Sequence, residues 1–337
     1  MKNWLYNIFA IDKHSVIQAA TFNHCSALCP SKTGVILAWY AGSGECRDDQ
    51  SVYITYLSHG KSLPPLRIGD KTGNPIVWRE NNQLWLLWSK FEDDGPMLHP
   101  AHRWRHCSLW IQQIKHTRNM ELLGKPIQLA KSSHHLLART NPLIMPQLVL
   151  LPLYDEVAQQ CVIYKGSNGS FDEVARYGNT TIQPAIWWEN NKLHSLARNF
   201  KNDVRRSIYY YSNDLGHSWQ YGGPSQLWNI NNSLAITKWD NQHIVLWNNI
   251  DDVRRKNMSI GTLKLNWSDN ARVVPHAHVI KNLNQDHGSY PSLCVDDAGL
   301  LHFAYTGPHK QIEYHVWNRK TFCREMQCAF RTLCERS

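Results

Sequence analysis

No apolar run in this chain approaches the roughly 20 residues needed to cross a bilayer, so no membrane span is expected. The N-terminal MKNWLYNIFAIDKH has only a short apolar stretch, broken by Asn7. That is too weak for the hydrophobic region of a secretory signal, and a cytoplasmic location is the expectation. The nine cysteines are odd in number and contain no paired CxxC motifs. Their pattern excludes a zinc module of the usual spacing and a full disulfide framework, and predicts buried free thiols that act as small apolar residues. No long Lys/Arg run or nucleic-acid motif occurs, so nucleic acid is not an expected partner. Regular D-x-D-x-D spacing is also lacking, so the DD pairs on loops are not read as a calcium site. Neither a metal nor another cofactor is expected, and no oligomeric partner is inferred.

What is present begins with charge. Thirty-six basic residues stand against 27 acidic ones, a net charge of +9, which favours an acidic partner such as a carboxylated or sulfated glycan. Fifteen Trp and 14 Tyr are many for this length. Most are expected to fill the gaps between packed sheets, with a few left as sugar-stacking platforms.

One pattern returns six times: a short apolar run, a polar turn often carrying Asn, Asp or Gly, and a second apolar run. The copies are HCSALCPSKTGVILAWY, GNPIVWRENNQLWLLWS, TNPLIMPQLVLLPLY, IQPAIWWENNKLHSLARN, NNSLAITKWDNQHIVLWN and SYPSLCVDDAGLLHFAY. Each reads as a β-hairpin. Their anchor residues His24, Asn74, Asn141, Gln183, Asn232 and Tyr290 lie 42 to 67 residues apart, room for one four-stranded sheet each. The fold class is therefore all-β, a six-bladed β-propeller. Residues 1–320 are assigned to the propeller, with 1–20 supplying an outer strand that closes the ring. Residues 321–337, with three Cys, form a tail that is an appended helix or a frayed end.

The segment Ser212-Asn213-Asp214-Leu215-Gly216-His217-Ser218-Trp219 fits S-x-D-x-G-x-x-W. Ser and Asp side chains bonding turn amides, a glycine at positive φ and a Trp packed beneath would make a tight turn between outer strands. It is read as structural.

If the hairpin turns all lie at one end of the ring, the anchors and the segments after each second strand meet at the other end, around one opening. Those segments are 42–50, 89–106, 154–156, Arg198, 248–257, and Tyr305 with TGPHK. They hold Glu45, Asp48, Asp49, Glu92, Asp93, Asp94, Asp155, Glu156, Asp251 and Asp252, together with Arg47, Arg103, Arg105, Arg198, Arg254 and Arg255. Arg198 ends an apolar strand, and a buried arginine needs an anionic partner, from the protein or from a substrate.

With this turn motif (an Asp-box), six hairpins and one charged face, residues 21–318 resemble the sialidase superfamily of BNR-repeat proteins. The resemblance implies a six-bladed propeller whose active members hold a substrate carboxylate with three arginines, use an Asp as acid/base, and attack with a Tyr assisted by a Glu. By that resemblance Arg198 matches the second arginine, and Arg254 or Arg255 the third, with Arg255 favoured. Tyr290 matches the nucleophile, and Asp48 or Asp49 lies in the acid/base loop. His24 stands where the first arginine is expected, and Gln183 where the assisting Glu is expected. A histidine is at best a partial cation at neutral pH, and a glutamine cannot take the tyrosine proton.

Three functions follow. The leading one is a glycoside hydrolase acting on an acidic sugar. Arg198 and Arg255 would hold its carboxylate, with Arg254, Arg47, Asn74, Asn141, Asn232 and Tyr305 lining the site. Asp48 or Asp49, with Glu45 as substitute, would protonate the leaving oxygen; Tyr290 would act as nucleophile, and Asp93 or Asp94 would supply a second carboxyl. The second is a lyase acting on a uronate, with His24 and Tyr290 as base and acid. The third is a non-catalytic glycan-binding propeller, marked by Gln183.

Overall fold

Paired asparagines set the hairpins. Asn81 and Asn82 have φ of 49° and 63°, Asn190 and Asn191 of 49° and 59°. Each pair links two strands through a two-residue turn, with Glu80 opposite Gln83 and Glu189 opposite Lys192. Positive φ at both central residues gives the turn whose twist matches that of paired strands, and Asn tolerates it better than other residues with a Cβ.

The computed structural model describes residues 12–334 apart from 33, 59–60, 93–99, 117–118, 201–203, 230, 252–253, 268–271 and 285. Six antiparallel sheets of four or five strands follow one another along the chain, as a six-bladed propeller. The blades span 22–70, 72–130, 136–177, 181–228, 235–284 and 289–317. Asp12–Ile17 pairs antiparallel with Ile312–Trp317 as the outermost strand of the sixth blade. Two blades depart from the regular hairpin. The inner strand of the third is split into Leu136–Ala138 and Leu143–Met145, leaving Asn141 in the break. The inner strand of the fifth begins only at Ala235, so Asn232 lies in the loop before it.

The core is a set of wedges between neighbouring blades. Ile76 and Trp78 pack with Leu151 and Phe171, Tyr40 and Ile54 with Val77 and Trp88, and Ile163 and Tyr177 with Leu193 and Tyr210. Trp187 and Tyr209 meet Val245 and Trp247, and Trp239 and Leu246 meet Phe303 and Trp317. The wedge of Leu37 and Trp39 with Ala304 and Tyr314 joins the last blade to the first. Burial of a large side chain contributes about 1.5–3 kcal/mol, so closing the ring buries apolar surface at every junction. The cysteines 25, 29, 46, 107, 161 and 294 are buried free thiols, and burial raises Cys29, Cys46 and Cys161 to about 12.

The S-x-D-x-G-x-x-W segment makes the expected turn. Ser212 Oγ donates to Asp214 Oδ1 at 2.7 Å and accepts from the Gly216 amide at 2.9 Å, while Asp214 accepts from the Ser218 amide at 2.9 Å. Gly216 has φ 90°, and Trp219 donates to the Gly216 carbonyl and stacks on Tyr177. Arg319–Cys334 is a helix, capped by Asn318 through the Thr321 amide, and its Phe322 enters the wedge between the fifth and sixth blades. No described helix is long and apolar enough to cross a membrane.

Candidate active site

Four inner strands break register at equivalent places: between His24 and Ala27, Gly73 and Ile76, Ile182 and Ala185, and Ser289 and Ser292. Within the breaks Cys25, Asn74, Gln183 and Tyr290 take left-handed backbone, with φ of 61°, 44°, 52° and 50°. A bulge re-aims the side chain it carries, and a left-handed residue with a Cβ is strained by roughly 1–2 kcal/mol. Proline follows in three of the four, at Pro75, Pro184 and Pro291, where a missing amide suits an interrupted ladder. This corrects the first anchor: the residue equivalent to Gln183 and Tyr290 is Cys25, and His24 stands one position earlier.

Tyr290 lies at the centre of a cluster. Arg255 crosses its ring at 4.8 Å and reaches its hydroxyl at 3.5 Å, and Arg139 lies 5.2 Å from the ring centroid. His24 meets it edge-on at 4.6 Å. Its amide donates to Asn232 Oδ1 at 3.3 Å, which fixes the strained backbone. Arg198 is buried and donates to Gln183 Oε1 at 3.0 Å and to Asn231 Oδ1 at 2.8 Å, under Phe200. Gln183 in turn donates to the Tyr154 hydroxyl at 3.3 Å. Arg139 is 1% exposed and donates to Ser233 Oγ and to the carbonyls of Ser26 and Pro291, tying the third blade to the fifth, first and sixth. None of the ion pairs among the described residues engages Arg139, Arg198 or Arg255.

The electrostatics follow from burial under excess positive charge. His24 is pushed well below its ordinary value by burial, with Arg255, Lys310 and Arg139 adding to the effect, so its imidazole is neutral; its Nδ1 is buried without a partner. Burial also draws Arg198 down from its ordinary value, with Tyr290 opposing and Arg255 reinforcing. Glu156 is raised by burial, an effect that Arg198 and Arg105 oppose.

One loop carboxylate reaches the aromatic wall. Glu45 Oε1 accepts from the Tyr40 hydroxyl at 3.3 Å and from Trp104 Nε1 at 3.2 Å, and Tyr40 packs against both His24 and Trp104. The neighbouring acids are committed elsewhere. Asp49 closes the loop by accepting from the Ser43 amide and hydroxyl, and Asp48 pairs with Arg103 at 2.9 Å. Among the loop acids, Glu45 is thus the better acid candidate. Arg47 is exposed on the same loop. Asp93 and Asp94 lie outside the described residues.

Other expected site residues serve the scaffold. Tyr305 is 2% exposed within the fifth–sixth wedge and stacks on His315; its strand is buried along its whole length, so it does not line a cleft. Asn141 donates to the carbonyls of Leu28 and Leu293, joining three blades. Asn74 accepts from the Cys25 thiol at 3.3 Å. Arg254 is exposed, and it is Arg255 that turns to Tyr290. Arg139 was missed, although it ends LLAR (136–139) as Arg198 ends SLAR (195–198). A charge closing an apolar run was the available signal. Trp104 and Tyr154 fall in the segments 89–106 and 154–156 expected at the opening, but Tyr40 and Asn231 carried no such signal.

Comparison with known proteins bears on this arrangement. The model of the BNR repeat-like domain family matches residues 34–303. A sialidase from Trypanosoma rangeli in complex with the inhibitor DANA aligns with a TM-score of 0.61 at 13% identity, covering 94% of this chain and 58% of that one. A leech intramolecular trans-sialidase complexed with 2,7-anhydro-Neu5Ac aligns with a TM-score of 0.69 at 10% identity, covering 94% and 71%. A Dyadobacter fermentans protein of unknown function aligns with a TM-score of 0.64 at 9% identity, covering 93% and 100%. This chain therefore spans less than two thirds of the trypanosomal sialidase it matches. No curated protein matches its sequence. At these identities the likeness is one of fold.

Proposed function

We propose, from the premise that this chain belongs to the BNR repeat-like domain family, that it is a sialidase-type glycoside hydrolase acting on a carboxylated sugar. One observation carries the reading: Arg198 and Arg255 meet at Asn231, through its side chain and its carbonyl, Arg255 and Arg139 flank the Tyr290 ring, and no ion pair among the described residues neutralises any of the three. Clustered guanidinium groups repel one another, and an incoming carboxylate would relieve that repulsion while accepting paired hydrogen bonds. A Trypanosoma rangeli sialidase in complex with sialic acid sets a precedent for such a ligand.

On this reading the sugar carboxylate sits against Arg198 and Arg255, and Tyr290 faces the anomeric carbon. Glu45, held by Tyr40 and Trp104, gives its proton to the leaving oxygen. Gln183 cannot accept the Tyr290 proton, and it spends its hydrogen bonds on Arg198 and Tyr154. Its role is to aim the arginine. As the Tyr290 oxygen bonds the anomeric carbon its proton passes to water, with no adjacent carboxylate to take it, and turnover is slow compared with an enzyme that has such a base.

β-Elimination from a uronate is a second reading, favoured by the neutral His24 ring, which packs edge-on to Tyr290 and whose Nδ1 is buried without a partner. A panel of sialylated, uronate-containing and neutral glycans separates the two. Hydrolysis releases reducing sugar without new ultraviolet absorbance, whereas elimination creates an absorbing double bond. Turnover confined to neutral glycans would overturn both, and binding of an acidic glycan with no turnover would leave a glycan-binding propeller.

A further inference from the structure

We propose that His14, Glu313 and His315 form a binding site for a zinc-class divalent cation, which clasps the N-terminal strand to the last blade. His14 lies directly opposite His315 in the antiparallel pair that closes the ring, and Glu313 is two residues from His315, opposite Val16. Side chains two apart on one strand share a face with the residue across the ladder. One ligand atom from each of the three lies within 4.8 Å of the others, and His14 Nε2 is hydrogen-bonded to Glu313 Oε2.

The His315 ring is fixed between His14, stacked at 4.5 Å, and Phe303, stacked at 4.7 Å. Its Nε2 is buried with no hydrogen-bond partner, which is costly for a polar atom and is relieved by a ligated ion. Glu313 Oε1 accepts from Gln311 at 2.9 Å, an outer contact of the kind that orients a ligating carboxylate. The His14 side chain, 52% exposed, leaves its hydrogen bond and its stacking as the three donors close on an ion to the roughly 2.0–2.2 Å of zinc bonds. Lys281, whose charge acts on His315, is paired with Glu325 at 3.4 Å. Two imidazoles and one carboxylate favour zinc over calcium or magnesium, and leave a fourth position for water.

The test is calorimetric titration of the untagged, chelator-stripped protein with zinc chloride, paired with melting curves. One equivalent should bind and raise Tm. Both effects should weaken by at least about tenfold, the loss that even an outer contact costs, in His14→Ala and in Glu313→Gln. His276→Ala, which dismantles a separate imidazole pair, His276 and His278 at 3.3 Å, should leave both unchanged. No zinc binding, or binding that survives His14→Ala and Glu313→Gln, overturns the proposal. So does binding lost only with His276→Ala.

Discussion

Arg198 has neutral hydrogen-bond partners, Gln183 and Asn231, and a buried position. A charge-assisted bond contributes about 1.5–3 kcal/mol, so Arg198→Ala should weaken binding of a carboxylated sugar by roughly 10- to 100-fold, read by calorimetry. Tyr290 gives a cleaner separation of chemistry from packing. Its hydroxyl touches only Arg255 among the contacts described, at 3.5 Å. Tyr290→Phe should abolish turnover while Tm and sugar affinity stay near wild type; wild-type turnover in that variant would remove Tyr290 from the mechanism. At this scale the sequence was legible where chemistry is local. Arg198 ends an apolar strand, and Gln183 and Tyr290 each precede a proline. The acid was less legible, because Glu45, Asp48 and Asp49 share one loop and only the fold shows which carboxylate meets Tyr40 and Trp104.

At the scale of the element, the two-residue Asn turns and the bulges set register. Asn191→Ala should cost about 1 kcal/mol, because alanine at φ 59° lacks the local hydrogen bonding that lets Asn sit there; Asn191→Gly should cost less. Denaturant midpoints of the two variants check this, and equal losses would contradict the backbone argument. The hairpins were readable because apolar runs and turn residues sit close together in sequence. The bulges were not. Inserting one residue shifts the ladder without altering the apolar pattern, so His24 was aligned with Tyr290 when Cys25 is its structural equivalent. The split inner strand of the third blade, with Arg139 and Asn141 in the gap, was hidden for the same reason.

Across the whole molecule, six wedges and one axial arginine hold the ring. Arg139 donates to oxygens of three blades, and removing it strands buried acceptors at about 1–3 kcal/mol each. Arg139→Ala should therefore lower Tm much more than Arg198→Ala, which tests whether the axial arginine is scaffold and the cleft arginine is function. Acid should also weaken the ring. His287 is held down to about 4 and His315 to about 3, chiefly by burial, and His24 well below its ordinary value. The unfolded chain binds protons at these sites from about pH 6.5, so their contribution is complete above that pH. It is lost as pH falls toward the folded values. Tm should drop between pH 6.5 and 4, and less steeply in His287→Gln; an unchanged slope would contradict the assignment. The most direct test of the central claim, that Arg198 and Arg255, which meet at Asn231, form a carboxylate site, is calorimetric titration of wild type and Arg198→Ala with sialic acid and with a neutral hexose. Binding of the acid alone is expected, weakened roughly 10- to 100-fold in the variant, with a smaller loss of Tm than in Arg139→Ala. Equal binding of both sugars, or an affinity for the acid unchanged by Arg198→Ala, would contradict it.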